Sequence, residues 1–183
     1  FDDLNGKIPL IIDGGPCEVG IESTVLDVTS SLPRILRPGM VTREMIEDII
    51  GKLSDTSDKS GEVRSPGVKY SHYCPDADLT IVSGPEAAVS RHILIKLSSD
   101  MSAGINSGVM CYEQTKRNYS GNVISLGSKF NLGEVAKNLY SALRQIDKMK
   151  LDSVYVEALD DSNEGSAIMN RLIRAANGKV EEL

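Results

Sequence analysis

The residues best suited to chemistry lie near the start of the sequence, in a glycine-rich stretch, residues 14–24, and in an RPG segment that contains Arg37. Glycine lets a backbone approach a ligand closely, and Ser23 and Thr24 offer small hydroxyl groups. Arg37 offers a planar fork of donors that suits a carboxylate or a phosphate. The pattern predicts an anion site. It also fits a purely structural arrangement, in which the glycines form turns, Ser23 ends a strand and Arg37 is a solvated charge.

A second group of polar and aromatic side chains occupies residues 64–75, which read RSPGVKYSHYCP. Residues 54–62, just before it, contain almost no apolar side chains, so burial cannot offset the entropy of ordering them, and they predict a linker. Two prolines restrict the backbone of the second segment, and Tyr70, His72 and Tyr73 add rings and polar groups. A simple spacer needs none of these groups. His72 either supports a ligand-covering segment by hydrogen bonding or only packs.

Three motifs, DGGPCEVGIESTVLDVT, ILRPG and SPGVKYSHYCP, occur in this order and carry a family resemblance. They resemble the second half of the YrdC-type catalytic domain and the linker of the two-domain L-threonylcarbamoyl-adenylate synthases. The downstream stretches ISLGSKFNLGEVAKNLYSALRQIDKM and GSAIMNRLIRAAN are similar too. The resemblance implies a nucleotidyltransferase that forms threonylcarbamoyl-AMP and pyrophosphate from L-threonine, bicarbonate and ATP. The product would supply threonylcarbamoyladenosine modification of tRNA through a downstream threonylcarbamoyl-transferase machinery.

The resemblance also assigns roles to individual residues. Ser23, in the EST motif, would contact threonine, and Arg37, in the RPG motif, would bind the nucleotide. A linker tyrosine would close over the nucleotide as a lid, and we favour Tyr70 over Tyr73. No catalytic acid or base and no metal ligand is assigned, because the reaction mostly needs positioning, charge neutralisation and exclusion of water. Mg²⁺ is expected with the phosphates of ATP, without a dedicated protein cage.

The sequence departs from the family pattern in two respects. The family's N-terminal motifs, a segment bearing lysine and arginine and a stretch containing serine and asparagine, have no counterpart upstream of the DGG turn. We therefore expect an N-terminally truncated enzyme part that is inactive alone. In the linker, Val68, Ser71 and Cys74 replace the usual residues. A reading from another class is a non-catalytic, nucleotide-responsive binding or regulatory module whose C-terminal domain recognises a partner.

The distribution of apolar residues divides the chain into three segments of an α/β protein. Residues 1–53 predict the C-terminal part of a YrdC-like catalytic domain, a partial twisted mixed sheet. Residues 54–78 predict the linker with the lid motif. In residues 79–183 strands alternate with helices, which predicts a Rossmann-like parallel α/β accessory domain. No G-x-G-x-x-G follows any predicted strand there, so a dinucleotide role is weak and no chemistry is assigned to this domain.

Individual elements follow from local periodicity. An apolar stripe predicts a helix near residues 45–53 with Thr42 as its cap, and the strongest stripe predicts a helix over residues 132–149 that starts at Asn131. A last helix, residues 166–176, should stop at the Asn177-Gly178 pair. The predicted strands are residues 8–12, 20–28, 34–36, 79–82, 109–112, 123–126 and 154–157, and a further helix covers residues 86–97.

Composition limits the class of protein. The chain has 183 residues, with 20 Lys and Arg against 26 Asp and Glu, and its formal charge of −6 predicts little direct binding to nucleic acid. No apolar run approaches the roughly 20 residues that span a bilayer. The three cysteines are far apart and predict reduced thiols rather than a metal or redox motif. We expect a cytoplasmic protein without a membrane partner.

Overall fold

The computed structural model describes residues 1, 4–15, 17–54, 74–160 and 164–183. In the first part, two short strands, β1 (Val25–Asp27) and β2 (Arg34–Arg37), pair antiparallel. Helix α1 (Arg43–Ile50) follows them. Thr42 caps this helix by accepting a hydrogen bond from the Met45 amide, as the sequence predicts. The pairing of β1 with β2 therefore sets the two motifs around Ser23 and Arg37 close to each other.

Residues 8–12, which the sequence predicts as a strand, have no regular structure. Most of their apolar side chains are exposed, with Leu10 at 71% and Ile12 at 84% of full exposure. A strand needs a neighbour for its backbone amides and carbonyls, and no strand in the described ranges pairs with this segment. An apolar run by itself therefore did not suffice to form the strand.

The second part of the chain is built on a five-stranded sheet in the order β5-β4-β6-β3-β7. Every neighbouring pair is parallel, which confirms the predicted Rossmann-like α/β architecture. The central strands are almost fully buried, as parallel strands covered on both faces must be. The strands are β3 (Asp78–Ser83), β4 (Ser107–Cys111), β5 (Val123–Ser125), β6 (Ser153–Glu157) and β7 (Val180–Glu182).

Helices cover both faces of this sheet. Helix α2 (Glu86–Ser102) packs on one face, where Val89 and Ile93 join alternate strand residues in one apolar cluster. Helices α3 (Leu132–Met149) and α4 (Glu164–Ala175) pack on the other face, in a larger cluster. Because successive strand residues point to opposite faces, each buried strand contributes to both clusters.

The long helix α3 begins and ends as predicted. Asn131 accepts a hydrogen bond from the Glu134 amide at its start, and Lys150 adopts a left-handed conformation at its end. After α4, Asn177 and Gly178 have φ values of 51° and 79°, which is the predicted helix stop. Among the described residues, no helix is both long enough and apolar enough to cross a membrane.

Candidate functional site

Ser23 and Arg37, the two predicted ligand-binding residues, lie next to each other. The β1–β2 pairing sets Val25 opposite Arg37. The Arg37 Nε and Nη2 donate hydrogen bonds to the Ser23 carbonyl oxygen at 3.1 and 3.0 Å. The Ser23 side chain is in an exposed position. The β1–β2 hairpin thus holds the Arg37 guanidinium against the backbone of Ser23.

Gly39 of the RPG segment fixes the distance between the two motifs. A Cβ at Gly39 would lie 2.7 Å from Thr24 Oγ1 and 2.8 Å from the Glu22 carbonyl oxygen, which is too close for any side chain. Thr24 Oγ1 in turn donates a 2.6 Å hydrogen bond to the Val41 carbonyl. The RPG and EST motifs therefore pack backbone against backbone, and only glycine fits at this contact.

Arg171, on helix α4, holds both motifs from the C-terminal domain. Its Nε donates to Glu22 Oε2 at 2.9 Å, and its Nη1 donates to the Pro38 carbonyl at 2.7 Å. Glu22 directly precedes Ser23 and Pro38 directly follows Arg37. Tyr140, on α3, donates a second hydrogen bond to Glu22 Oε2, at 2.9 Å. One buried guanidinium therefore braces both predicted substrate motifs.

The contacts of Glu22 with Arg171 and Tyr140 form a joint between the hairpin and helices α3 and α4. The electrostatics of this joint keep Glu22 ionised. Burial opposes its ionisation, but hydrogen bonds from its own backbone amide, from Arg171 and from Tyr140 outweigh burial and lower the pKa of Glu22. Burial, followed by the bond to Glu22, raises the pKa of the Tyr140 hydroxyl. Tyr140 consequently remains a proton donor to Glu22 at neutral pH.

Backbone packing strengthens the same joint. Gly20 lies against α3, where a Cβ would come within 2.5 Å of the Ala136 carbonyl oxygen. Ile21 is only 7% exposed and belongs to the apolar cluster formed by α3 and α4. The crevice between the hairpin and these helices, lined by Glu22, Arg37 and Arg171 among others, has a volume of about 20 Å³. It has room for about one water molecule, so a substrate must approach Ser23 and Arg37 from elsewhere.

The predicted lid residues Tyr70 and Tyr73, with His72, lie outside the described residues. Their assignment stays a prediction. No group of three or more His, Cys, Asp or Glu side chains that could hold a metal ion occurs in the described ranges.

The sequence motifs did not predict Glu22, Tyr140 or Arg171 as site residues. The sequence did contain one indication of a role for Arg171. This charged residue interrupts the apolar face of α4, between Ile168 and Leu172, which are both fully buried. A charged side chain on a buried helix face needs a partner, and here the partners come from the first part of the chain.

Comparison with known proteins decides the family. Residues 41–177 match the family described as "Threonylcarbamoyl-AMP synthase, C-terminal domain". The chain belongs to this family of threonylcarbamoyl-AMP synthases. Residues 1–39 match a second family, that of Sua5, YciO and YrdC, described as "Telomere recombination". The resemblance predicted from the three motifs is thus confirmed.

Several threonylcarbamoyl-AMP synthases are similar over nearly the whole chain. The protein of Bacillus subtilis is 40% identical over 97% of this chain and 51% of its own length. That of Pyrococcus abyssi is 34% identical over 98% of this chain and 52% of its own length. The crystal structure of P. abyssi Sua5 complexed with L-threonine superposes with a TM-score of 0.85, covering 100% of this chain and 53% of the other. The chain therefore spans about half the length of the relatives it matches.

Proposed function

We propose that this chain takes part in the synthesis of threonylcarbamoyl-AMP and pyrophosphate from L-threonine, bicarbonate and ATP. The observation that carries the proposal is the convergence of Ser23 and Arg37, with the Arg37 guanidinium 3.0 Å from the Ser23 carbonyl oxygen. Family membership supports it, as does the threonine complex of the P. abyssi protein. The product would be used to modify tRNA.

In this proposal the chain supplies positioning and charge rather than acid or base groups. The Arg37 guanidinium would neutralise phosphate oxygens of ATP, and the exposed Ser23 hydroxyl would hydrogen-bond L-threonine. The joint at Arg171 would hold both groups in register while the carbamate reacts at the α-phosphate. Mg²⁺ would accompany ATP as a complex with its phosphates.

The linker would cover the bound nucleotide through one tyrosine, with Tyr70 as the favoured candidate and Tyr73 as the alternative. A solved structure of the P. abyssi protein, 33% identical over 98% of this chain, carries alanine in place of a neighbouring histidine and tyrosine. His72-Tyr73 is the one His-Tyr pair in this sequence. This pair supports testing Tyr73 beside Tyr70. Single replacement of Tyr70 and of Tyr73 with phenylalanine, measured by pyrophosphate release, shows which of the two tyrosines acts on the nucleotide.

The cellular setting completes the proposal. The chain would act in the cytoplasm. The adenylate would pass there to a threonylcarbamoyl-transferase machinery before it hydrolyses, since the carbamate and its adenylate hydrolyse readily. The net charge of −6 argues that tRNA is bound by that machinery rather than by this chain.

The test is pyrophosphate release from ATP in the presence of L-threonine and bicarbonate, measured on the full-length protein. Arg37→Ala is expected to lower kcat/KM for ATP by about a hundredfold, as removal of a transition-state donor does. Arg37→Lys, which keeps the charge but loses the fork, should fall between wild type and Arg37→Ala. Arg91→Ala, at an exposed position on α2, is the matched control and should leave turnover unchanged. Undiminished turnover in Arg37→Ala would overturn the assignment.

A further inference from the structure

The C-terminal domain contains a cavity of about 480 Å³ that the proposed synthase activity does not use. It lies at the carboxyl ends of the parallel strands. Val82 of β3, Tyr112 after β4, and Glu157 of β6 contribute to its walls, and the segment before α3 closes it with Lys129 and Phe130. The volume falls within the range of about 300–1,000 Å³ that is typical of small-molecule sites.

The position of the cavity in the sheet is the one where open parallel α/β sheets bind ligands. Strands β3 and β6 are neighbours. The chain leaves β3 through α2 on one face and leaves β6 through α4 on the opposite face. The two connections diverge and leave a crevice between them, the topological switch point of such folds. The fold alone thus predicts a binding crevice at this point.

The floor of the cavity carries a buried carboxylate that has no counter-ion among the described residues. Glu157 is 4% exposed. Its Oε1 accepts a 2.6 Å hydrogen bond from the Tyr119 hydroxyl, and its Oε2 accepts a 2.5 Å bond from Thr115 Oγ1. Among the described residues, no lysine, arginine or histidine lies within ion-pairing distance of Glu157. A buried carboxylate with only hydroxyl and amide partners is costly, and a cation brought by a ligand would offset that cost.

The rest of the lining fixes the class of ligand. Among the described lining residues, the carboxylates of Glu86 and Glu157 outnumber the one cationic side chain, Lys129, which pairs with Glu86. This balance disfavours phosphates and carboxylates. The remaining walls are largely apolar, and Phe130 is 81% exposed at the rim. An apolar body with a positively charged group matches both features.

We propose that this cavity binds a small organic cation, an ammonium group on an apolar body, with the ammonium facing Glu157. Lys129 weakens the site by its charge, while Phe130 adds an aromatic face that a cation or a hydrocarbon can contact. The cation site is independent of the synthase activity and uses none of the residues assigned to that activity.

The test compares three probes that share one five-carbon body, pentylamine, 1-pentanol and pentanoate, by isothermal titration calorimetry on this chain. Pentylamine is expected to bind at least about tenfold more tightly than either of the others, a difference of about 1.4 kcal/mol. Equal binding of pentylamine and 1-pentanol, no binding of pentylamine, or tighter binding of pentanoate than of pentylamine would each overturn the proposal.

Two variants locate the site. Glu157→Gln keeps an acceptor for Tyr119 and removes the charge, so pentylamine affinity should drop about tenfold while 1-pentanol binding stays the same. Lys129→Met changes a partly exposed side chain and should tighten pentylamine binding about threefold, because it removes the one positive charge among the described residues that line the cavity. Met101→Ala, at the far end of α2, is the control. Unchanged or weaker pentylamine binding in Lys129→Met refutes the charge argument even if Glu157→Gln does not fold.

Discussion

The joint between the hairpin and the C-terminal domain makes a quantitative prediction for Arg171→Met. The substitution keeps an unbranched side chain of similar length and removes the guanidinium. Arg171 is 6% exposed, so little water can replace the bonds that it makes to Glu22 and to the Pro38 carbonyl. We expect residues 20–41 to detach from α3 and α4 more often, while the five-stranded sheet stays folded.

The free energy that the joint loses in Arg171→Met follows from the contacts that Arg171 makes. Two hydrogen bonds from a charged donor contribute roughly 1.5 to 3 kcal/mol each. Two effects reduce this sum: Glu22 is about a third exposed and can rehydrate, and Arg171 Nη2 is buried without a partner in the described residues, a cost that methionine removes. A net loss of about 2 kcal/mol remains, which corresponds to about a thirtyfold change in the opening equilibrium.

Hydrogen–deuterium exchange measures, for each segment separately, how often the hairpin detaches. Backbone amides in residues 20–41 should exchange about thirtyfold faster in Arg171→Met, and those of α3 and of the sheet should exchange at the wild-type rate. Arg91→Met, the same substitution at an exposed position, is the control. In the double variant with Glu22→Gln, the two effects should overlap rather than add, because the residues share one interaction.

Two results would refute the reasoning. Exchange in residues 20–41 that differs from wild type by less than about threefold would show that Arg171 does not hold the hairpin. Equal acceleration in α3 and in the sheet would show that Arg171 stabilises the C-terminal domain as a whole rather than the joint.

Two further predictions concern single residues. Gly39→Ala should disturb the contact between the two substrate motifs, because a Cβ there meets Thr24 Oγ1 at 2.7 Å. We expect a rise in KM for ATP in the full-length protein. An unaltered KM would contradict the packing argument. Burial, with the nearby charge of Glu157, raises the pKa of Cys111 to about 12, so roughly 1 in 10,000 of its thiol groups is ionised at pH 8. Iodoacetamide should therefore modify exposed Cys17 and spare Cys111 until urea unfolds the chain, and mass spectrometry showing equal rates in the folded protein would refute this.

Local periodicity predicted the secondary structure well where the spacing of apolar residues and the local signals, such as a capping residue, indicate the same element. Helix α3 repeats its apolar residues on one face and has a capping asparagine, and it begins and ends as expected. Residues 8–12 have only the apolar run, and without a neighbouring strand in the described ranges the run is exposed. A strand is stabilised by its partner, so its own sequence cannot establish it.

The sequence by itself determined the family and the parallel α/β class, because three motifs in a fixed order and the alternation of strands with helices are properties of the chain. It also singled out Ser23 and Arg37, through residue type and spacing. Only the tertiary structure joined Glu22 to Tyr140 and Arg171, which are 118 and 149 residues away along the chain. It alone set β6 beside β3 and so opened the cavity around Glu157. Contacts between distant segments depend on strand order and helix packing, and neither leaves a local pattern in the sequence.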